Sequence, residues 1–205
     1  MEQVLTHQHV HRDDEASKMG MWLFLFTELL LFGGLFLVFS IYRFKNHEAF
    51  SHGGAELDVF IGTLNTIVLI TSSMTIAVAI GALQQKKVKL AIWLMIITIF
   101  LALAFLVNKY FEWSAKYEHG LMPGTDLFNG LEPGEKLFFL LYFFMTGLHA
   151  LHIIVGGIFI GVVIPKVKRG KVSHDNYILL ENAGLYWHLV DVIWIFLFPL
   201  FYLVH

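Results

Sequence analysis

Residues 186–198 read YWHLVDVIWIFLF. The stretch is almost all hydrocarbon, yet His188 and Asp191 stand in it one helical turn apart. Its surroundings are equally apolar, and residues 182–205 carry no charged side chain except Asp191. A helix that crosses a bilayer needs about 20 mostly apolar residues. Four more stretches have that character. Residues 19–42 hold one charge, Glu28, while 59–85, 90–108 and 137–165 hold none. Over the whole chain 57% of the 205 residues are hydrophobic and 15% are charged, against about 25% charged in a soluble domain. Five such stretches leave too little polar sequence to cover a soluble surface. The chain therefore reads as an all-α integral membrane protein, a bundle of five transmembrane helices.

The spans fall at about 19–41, 58–83, 89–111, 136–164 and 179–204. They must be helical, because lipid offers no partner to an open backbone group. Barrel strands would instead alternate over about 10 residues. The connections are 42–57, 84–88, 112–135 and 165–178. The third contains Pro-Gly twice and reads as an ordered surface loop. Residues 1–18 have no basic start, no short apolar core and no small-residue cleavage site, so they read as a polar tail and not a signal peptide. No internal repeat is visible, which argues against a transporter built from repeats.

Orientation follows from the basic residues. The tail (Arg12, Lys18), the second connection (Lys86, Lys87, Lys89) and the fourth (Lys166, Lys168, Arg169, Lys171) share one side. Arg43, Lys45, Lys109, Lys116 and Lys136 lie on the other. The larger set predicts a cytoplasmic N-terminus and tail, with the C-terminus external. Trp22 and Trp93 then mark the inner boundary, and Trp113 and Tyr202 the outer one.

Composition excludes several chemistries. There is no cysteine, hence no disulfide, thiolate metal site or iron–sulfur cluster. A net charge of −2 points to no nucleic-acid partner. Phosphate-loop, nucleophile-elbow and zinc-protease motifs are missing. Three histidines lie within spans, on two helices, too few for a haem–copper oxygen-reducing centre or a two-haem cytochrome. The HQHVH stretch (His7, His9, His11) could chelate a metal, but acidic neighbours in a tail favour a solvated segment.

Polar groups inside a membrane mark either a helix seam or a function. Glu28 lies about ten residues into the first span, near the bilayer centre at ~1.5 Å per residue. It is read as a neutral hydrogen-bonded acid, a proton site or a lipid contact. His149, His152 and Gly156 share one face of the fourth span, and Gly157 and Gly161 form a GxxxG pattern. The histidines are read first as donors across a seam, with metal or haem ligation as the alternative. Glu181, His188 and Asp191 come from the last span, where His188 and Asp191 can share a proton or a hydrogen bond. Trp187 joins that set. Asn65, with Ser72 and Ser73, supplies ordinary interhelical donors.

Several of these stretches also resemble a known family. KMGMWLFLFTELLLFGGLF, with its Thr27–Glu28 pair, resembles the third helix of subunit III of cytochrome c oxidase. LNTIVLITSSMTIAVA is similar to the helix that follows there. FFMTGLHALHIIVGG and ENAGLYWHLVDVIWIFLF resemble two long family signatures. Glu112, in YFEW, matches a family glutamate more weakly. The resemblance covers about 19–203 and starts at the third of the seven helices in longer members, so it is closest to the short five-helix bacterial form.

The resemblance implies an accessory subunit without haem or copper of its own, both being expected in the partner subunits. It implies packing on oxidase subunit I, with subunit II as a further partner, in a bacterial inner membrane. It also implies support of proton uptake and turnover, phospholipid binding, and a possible place in a larger respiratory assembly. Glu28, where quinol oxidases of the family usually carry an aspartate, implies a cytochrome c type of partner. His188 and Asp191 would form a polar clasp meeting His149, His152 and Glu28. Subunit III of a quinol oxidase, a nitric-oxide-reductase-associated relative, and a standalone proton-coupled transporter remain alternatives.

Overall fold

The computed structural model describes the backbone of residues 2–203 and side chains from Asp14 to Leu203. Histidines 7, 9 and 11 therefore lie outside the side chains described. The described residues form α1 (Glu2–Lys45), α2 (His47–Ala55), α3 (Val59–Gln84), α4 (Val88–Glu118), α5 (Asp126–Gly130), α6 (Pro133–Lys168) and α7 (Ile178–Phe198). A π-helical turn, Pro199–Leu203, follows α7. Among the described residues five helices (α1, α3, α4, α6 and α7) are long and apolar enough to cross a membrane. The protein is an all-helical, multi-pass membrane protein.

The helices outrun the apolar stretches. α1 begins at Glu2, so the polar segment 2–18 is continuous with the first span and not a separate strand of coil. α4 runs on to Glu118, and the connection 42–57 folds largely into α2. The reason is local. The Asp58 side chain accepts from the Phe60 and Ile61 N–H groups and starts α3, as an N-cap should. Thr125 caps α5 in the same way. Pro133 opens α6 at its first position, where a missing N–H costs nothing. At the other end of the chain, Pro199 removes one helical hydrogen bond and the ladder widens into the π turn.

α3 and α4 form a tight hairpin whose turn places Lys86 at φ 63°. That hairpin packs on α6 and α7, and α1 leans on the α6–α7 side. α7 is the most enclosed span, with Trp187, Val190, Trp194 and Leu197 fully buried. Gly156 of α6 permits this. A Cβ there would stand 2.8 Å from the Trp187 ring. Gly157 and Gly161, the GxxxG pair, meet nothing within 4 Å and make no close contact in this chain. At the end of the bundle that carries α2 and α5, Phe39, Phe50, Phe138 and Phe201 interlock edge to face. Such pairs add to simple area burial.

Candidate functional site: polar groups within the bundle

The structure sorts the interior polar residues into separate pieces and not one network. The first joins α1 to α6. His152 Nε2 lies 2.9 Å from a Glu28 carboxylate oxygen. His152 Nδ1 lies 2.7 Å from the Leu148 carbonyl. A carbonyl can only accept, so Nδ1 carries a hydrogen. The Nε2 contact then needs one further proton, held by the histidine or by the acid. Either way the pair holds one proton between its facing atoms and is neutral overall, which is how an acid becomes tolerable inside a membrane. Phe32 meets the imidazole edge on at 5.3 Å, and Tyr186 stacks on it at 6.4 Å. The pair is partly open, with side-chain exposures of 12% and 14%.

Of the second piece the sequence pointed only to Glu112, through its match to a family glutamate. Lys109 and Glu112 of α4, which had seemed edge and loop residues, are 2% and 4% exposed. Lys109 Nζ donates to Glu112 Oε2 at 3.1 Å, to Tyr142 Oη at 3.1 Å and to Tyr202 Oη at 2.7 Å. Both tyrosine hydroxyls donate to the other carboxylate oxygen, at 2.6 and 2.5 Å. All three ammonium hydrogens are used, and both carboxylate oxygens accept. The cluster ties α4 to α6 and to the π turn, with the Trp194 ring 5.1 Å from the ammonium. One turn further along α4, Lys116 Nζ donates to the Glu56 carbonyl. The i, i+3, i+7 spacing of Lys109, Glu112 and Lys116 was the available signal, but depth from hydropathy alone placed them at the surface.

The expected clasp of His188 and Asp191 is not formed. His188 Nδ1 pairs instead with the Ser73 hydroxyl at 2.6 Å. Asp191 is 3% exposed, and its polar neighbour is the same Ser73 hydroxyl, which lies between it and His188 without closing a well-aligned hydrogen bond to the carboxylate. On α7 the two residues diverge by about 60° around the helix axis, since three residues turn through about 300°. Trp187 donates to Ser72 at 3.1 Å and Trp194 to Thr66 at 3.0 Å, which locks α7 to α3. Asn65 accepts from Asn108 at 3.0 Å within the α3–α4 hairpin. Glu181, in the first turn of α7, pairs with Lys18 of α1 at 3.0 Å, two turns away from His188. His149 is fully buried between Phe105 and Trp194, with neither nitrogen bonded. Among the described residues no group of three or more histidine, aspartate or glutamate side chains is placed to hold a metal ion.

This five-span bundle, with paired polar groups on its internal seams, is matched from residue 1 to 205 by the model of cytochrome c oxidase subunit III. The chain belongs to that family, and is thus one subunit of a haem-copper oxidase complex. It is 32% identical to cytochrome c oxidase subunit 3 of Thermostichus vulcanus, over 96% of this chain and 91% of that one. It is 31% identical to the heme-copper oxidase subunit I+III of Aeropyrum pernix, over 93% of this chain but only 23% of that longer polypeptide. A probable quinol oxidase subunit 3 of Staphylococcus aureus is 28% identical, over 94% of this chain and 90% of the relative.

Proposed function

We propose that this chain is the third subunit of a proton-pumping terminal oxidase of the cytochrome c type, in the inner membrane of a bacterium. It carries no redox centre and packs on subunit I, with subunit II also in the complex. Haem and copper reside in those partners. Its work is to sustain proton uptake and turnover and to hold phospholipid. The observation that carries this reading is the internal pairing. Glu28 with His152, and Glu112 with Lys109, Tyr142 and Tyr202, are each internally paired, neutral overall and helix-joining. Groups so committed suit a rigid scaffold that supports chemistry elsewhere. The I+III name of the Aeropyrum relative supports a partnership with subunit I.

The test is purification in mild detergent, followed by an optical spectrum and identification of the subunits. The chain should co-purify with subunit I and with haem and copper assigned to the partners. Stoichiometric haem in the isolated chain would overturn the reading. A second reading, subunit III of a quinol oxidase, draws on the similarity to the Staphylococcus protein. Oxygen uptake by the purified complex, driven by reduced cytochrome c or by quinol, separates the two.

A further inference from the structure

The cluster of Lys109, Glu112, Tyr142 and Tyr202 braces three elements, but a brace needs only donors and acceptors, which serine or asparagine supply as well. What tyrosine and tryptophan add is a ring that can give up one electron. The sequence holds seven tyrosines, five tryptophans and no cysteine. Four of those twelve rings gather here. Tyr142 and Tyr202 lie 6.4 Å apart between centroids, and Tyr202 lies 6.4 Å from Trp194. The Trp113 indole N–H stands beside the Tyr142 hydroxyl without closing a well-aligned hydrogen bond. The row therefore runs unbroken from the half-buried Trp113 to the fully buried Trp194.

A phenol that loses an electron becomes strongly acidic and must shed its proton. A buried phenol with no base beside it cannot do so, which keeps it inert. Here both hydroxyls already donate to one oxygen of Glu112, at 2.6 and 2.5 Å, the range of charge-assisted O–H···O⁻ bonds. Lys109 occupies the other oxygen at 3.1 Å, so the carboxylate is a paired anion free to accept a proton on the side of the phenols. The same cation decides which ring can hold the oxidation. Its Nζ stands 5.1 Å from the Trp194 ring. An oxidised indole is a cation until it deprotonates, and two positive charges repel strongly in a closed interior. Trp194 donates its N–H to the Thr66 hydroxyl, which is no base. A tyrosine that has passed its proton to Glu112 is neutral and escapes that repulsion.

We infer that Tyr142 and Tyr202, with Glu112 as their shared proton acceptor, form an amino-acid redox site that takes up stray oxidising equivalents. One electron leaves a phenol for a one-electron oxidant of the ferryl-haem or peroxyl-radical class, which is thereby reduced. The O–H proton moves to Glu112 along the existing hydrogen bond, and a neutral tyrosyl radical remains. The site is made of this chain's own side chains, leaves haem and copper with the partners, and goes beyond the scaffold role proposed above.

Photogenerated ruthenium(III) tris-bipyridine supplies the oxidant to the intact complex in detergent, and electron paramagnetic resonance of samples frozen after the flash reads the radical. A slowly decaying neutral tyrosyl signal should appear, and it should form more slowly in deuterium oxide. Tyr142→Phe and Tyr202→Phe keep the rings and remove the phenols. Each should lower the signal, and the two together should abolish it. Tyr117→Phe, at an exposed ring, should leave it in place. Glu112→Gln accepts the same hydrogen bonds but takes no proton, and should abolish the signal as well. The single tyrosine variants and the isotope effect decide the matter even where Glu112→Gln or the double variant fails to assemble. A slowly decaying signal undiminished by loss of either phenol, or no such signal in the native complex, would overturn the site. Full signal in an assembled Glu112→Gln complex would overturn the part given to Glu112. The same signal in a chain that purifies without oxidase partners would defeat the subunit reading alone and support this site.

Discussion

Glu28 and His152 meet across the α1–α6 seam at 2.9 Å, and the Leu148 carbonyl fixes which imidazole nitrogen faces the acid. Around it α1 packs through rings, Phe32 on His152 and Phe36 on Phe196. The pair pins α1 to α6 near mid-span, while Ser17 and Lys18 tie α1 to α7 nearer its N-terminus, and its single shared proton frames the first prediction.

In Glu28→Gln the amide N–H can donate to Nε2 while Nδ1–H still donates to Leu148. The complex should assemble and pump nearly normally. Glu28→Leu leaves Nε2 unpaired, at a cost of about 1–3 kcal/mol, and should lower the yield of complex. Protons pumped per electron, measured in vesicles, decide the matter. A ratio near zero in an intact Glu28→Gln complex would make Glu28 a proton carrier.

Lys109→Met strands the Glu112 carboxylate in a closed interior. Breaking one side of such a buried pair costs about 3–5 kcal/mol, and thermal denaturation in detergent should fall accordingly. Lys109→Met combined with Glu112→Gln should recover much of the loss, because no uncompensated charge remains. Additive losses in the double variant would show that the two residues act independently.

Gly156→Ala drives a methyl to 2.8 Å from the Trp187 ring. Overpacking of this kind costs about 1–3 kcal/mol. Gly157→Ala, which meets open space, should leave stability unchanged. A melting curve of each variant in the same detergent makes the comparison, and equal melting temperatures would contradict the packing described.

The unequal basic residues predict that the α3–α4 and α6–α7 turns lie on the cytoplasmic side. Reporter fusions at residues 86 and 170 should then be active as cytoplasmic fusions, and one at residue 122 as an external fusion. The reverse pattern would invert the whole orientation.

Removal of Asp191 separates the two pictures of α7. A clasp with His188 would make Asp191→Leu costly and Asp191→Asn mild. In the structure the carboxylate closes no well-aligned hydrogen bond and its polar neighbour is the Ser73 hydroxyl, so Asp191→Leu should leave no orphaned donor on His188, which keeps its bond to Ser73. Yields of complex for the two variants should be similar, and a loss confined to Asp191→Leu would restore the clasp.

What the sequence determined by itself is the set of spans, because a bilayer admits so few solutions. Any run of about 20 apolar residues must satisfy its own backbone, and only a helix does so. The runs ending at Tyr42, Gln85, Asn108 and Pro165 therefore became helices, and their intramembrane polar residues stood out against hydrocarbon. Spacing along one helix also showed that His149 and His152 lie a turn apart. What only the tertiary structure decided is partnership. Whether His152 meets Glu28, or His188 meets Ser73 and not Asp191, depends on how helices far apart in sequence rotate and slide against each other. That choice comes from packing, as Gly156 shows by admitting the Trp187 ring. The partners of Glu112, namely Lys109, Tyr142 and Tyr202, were hidden for the same reason. Hydropathy places charged residues at a surface, and only the closure of α4, α6 and the π turn around them supplies the acceptors and donors that let them be buried.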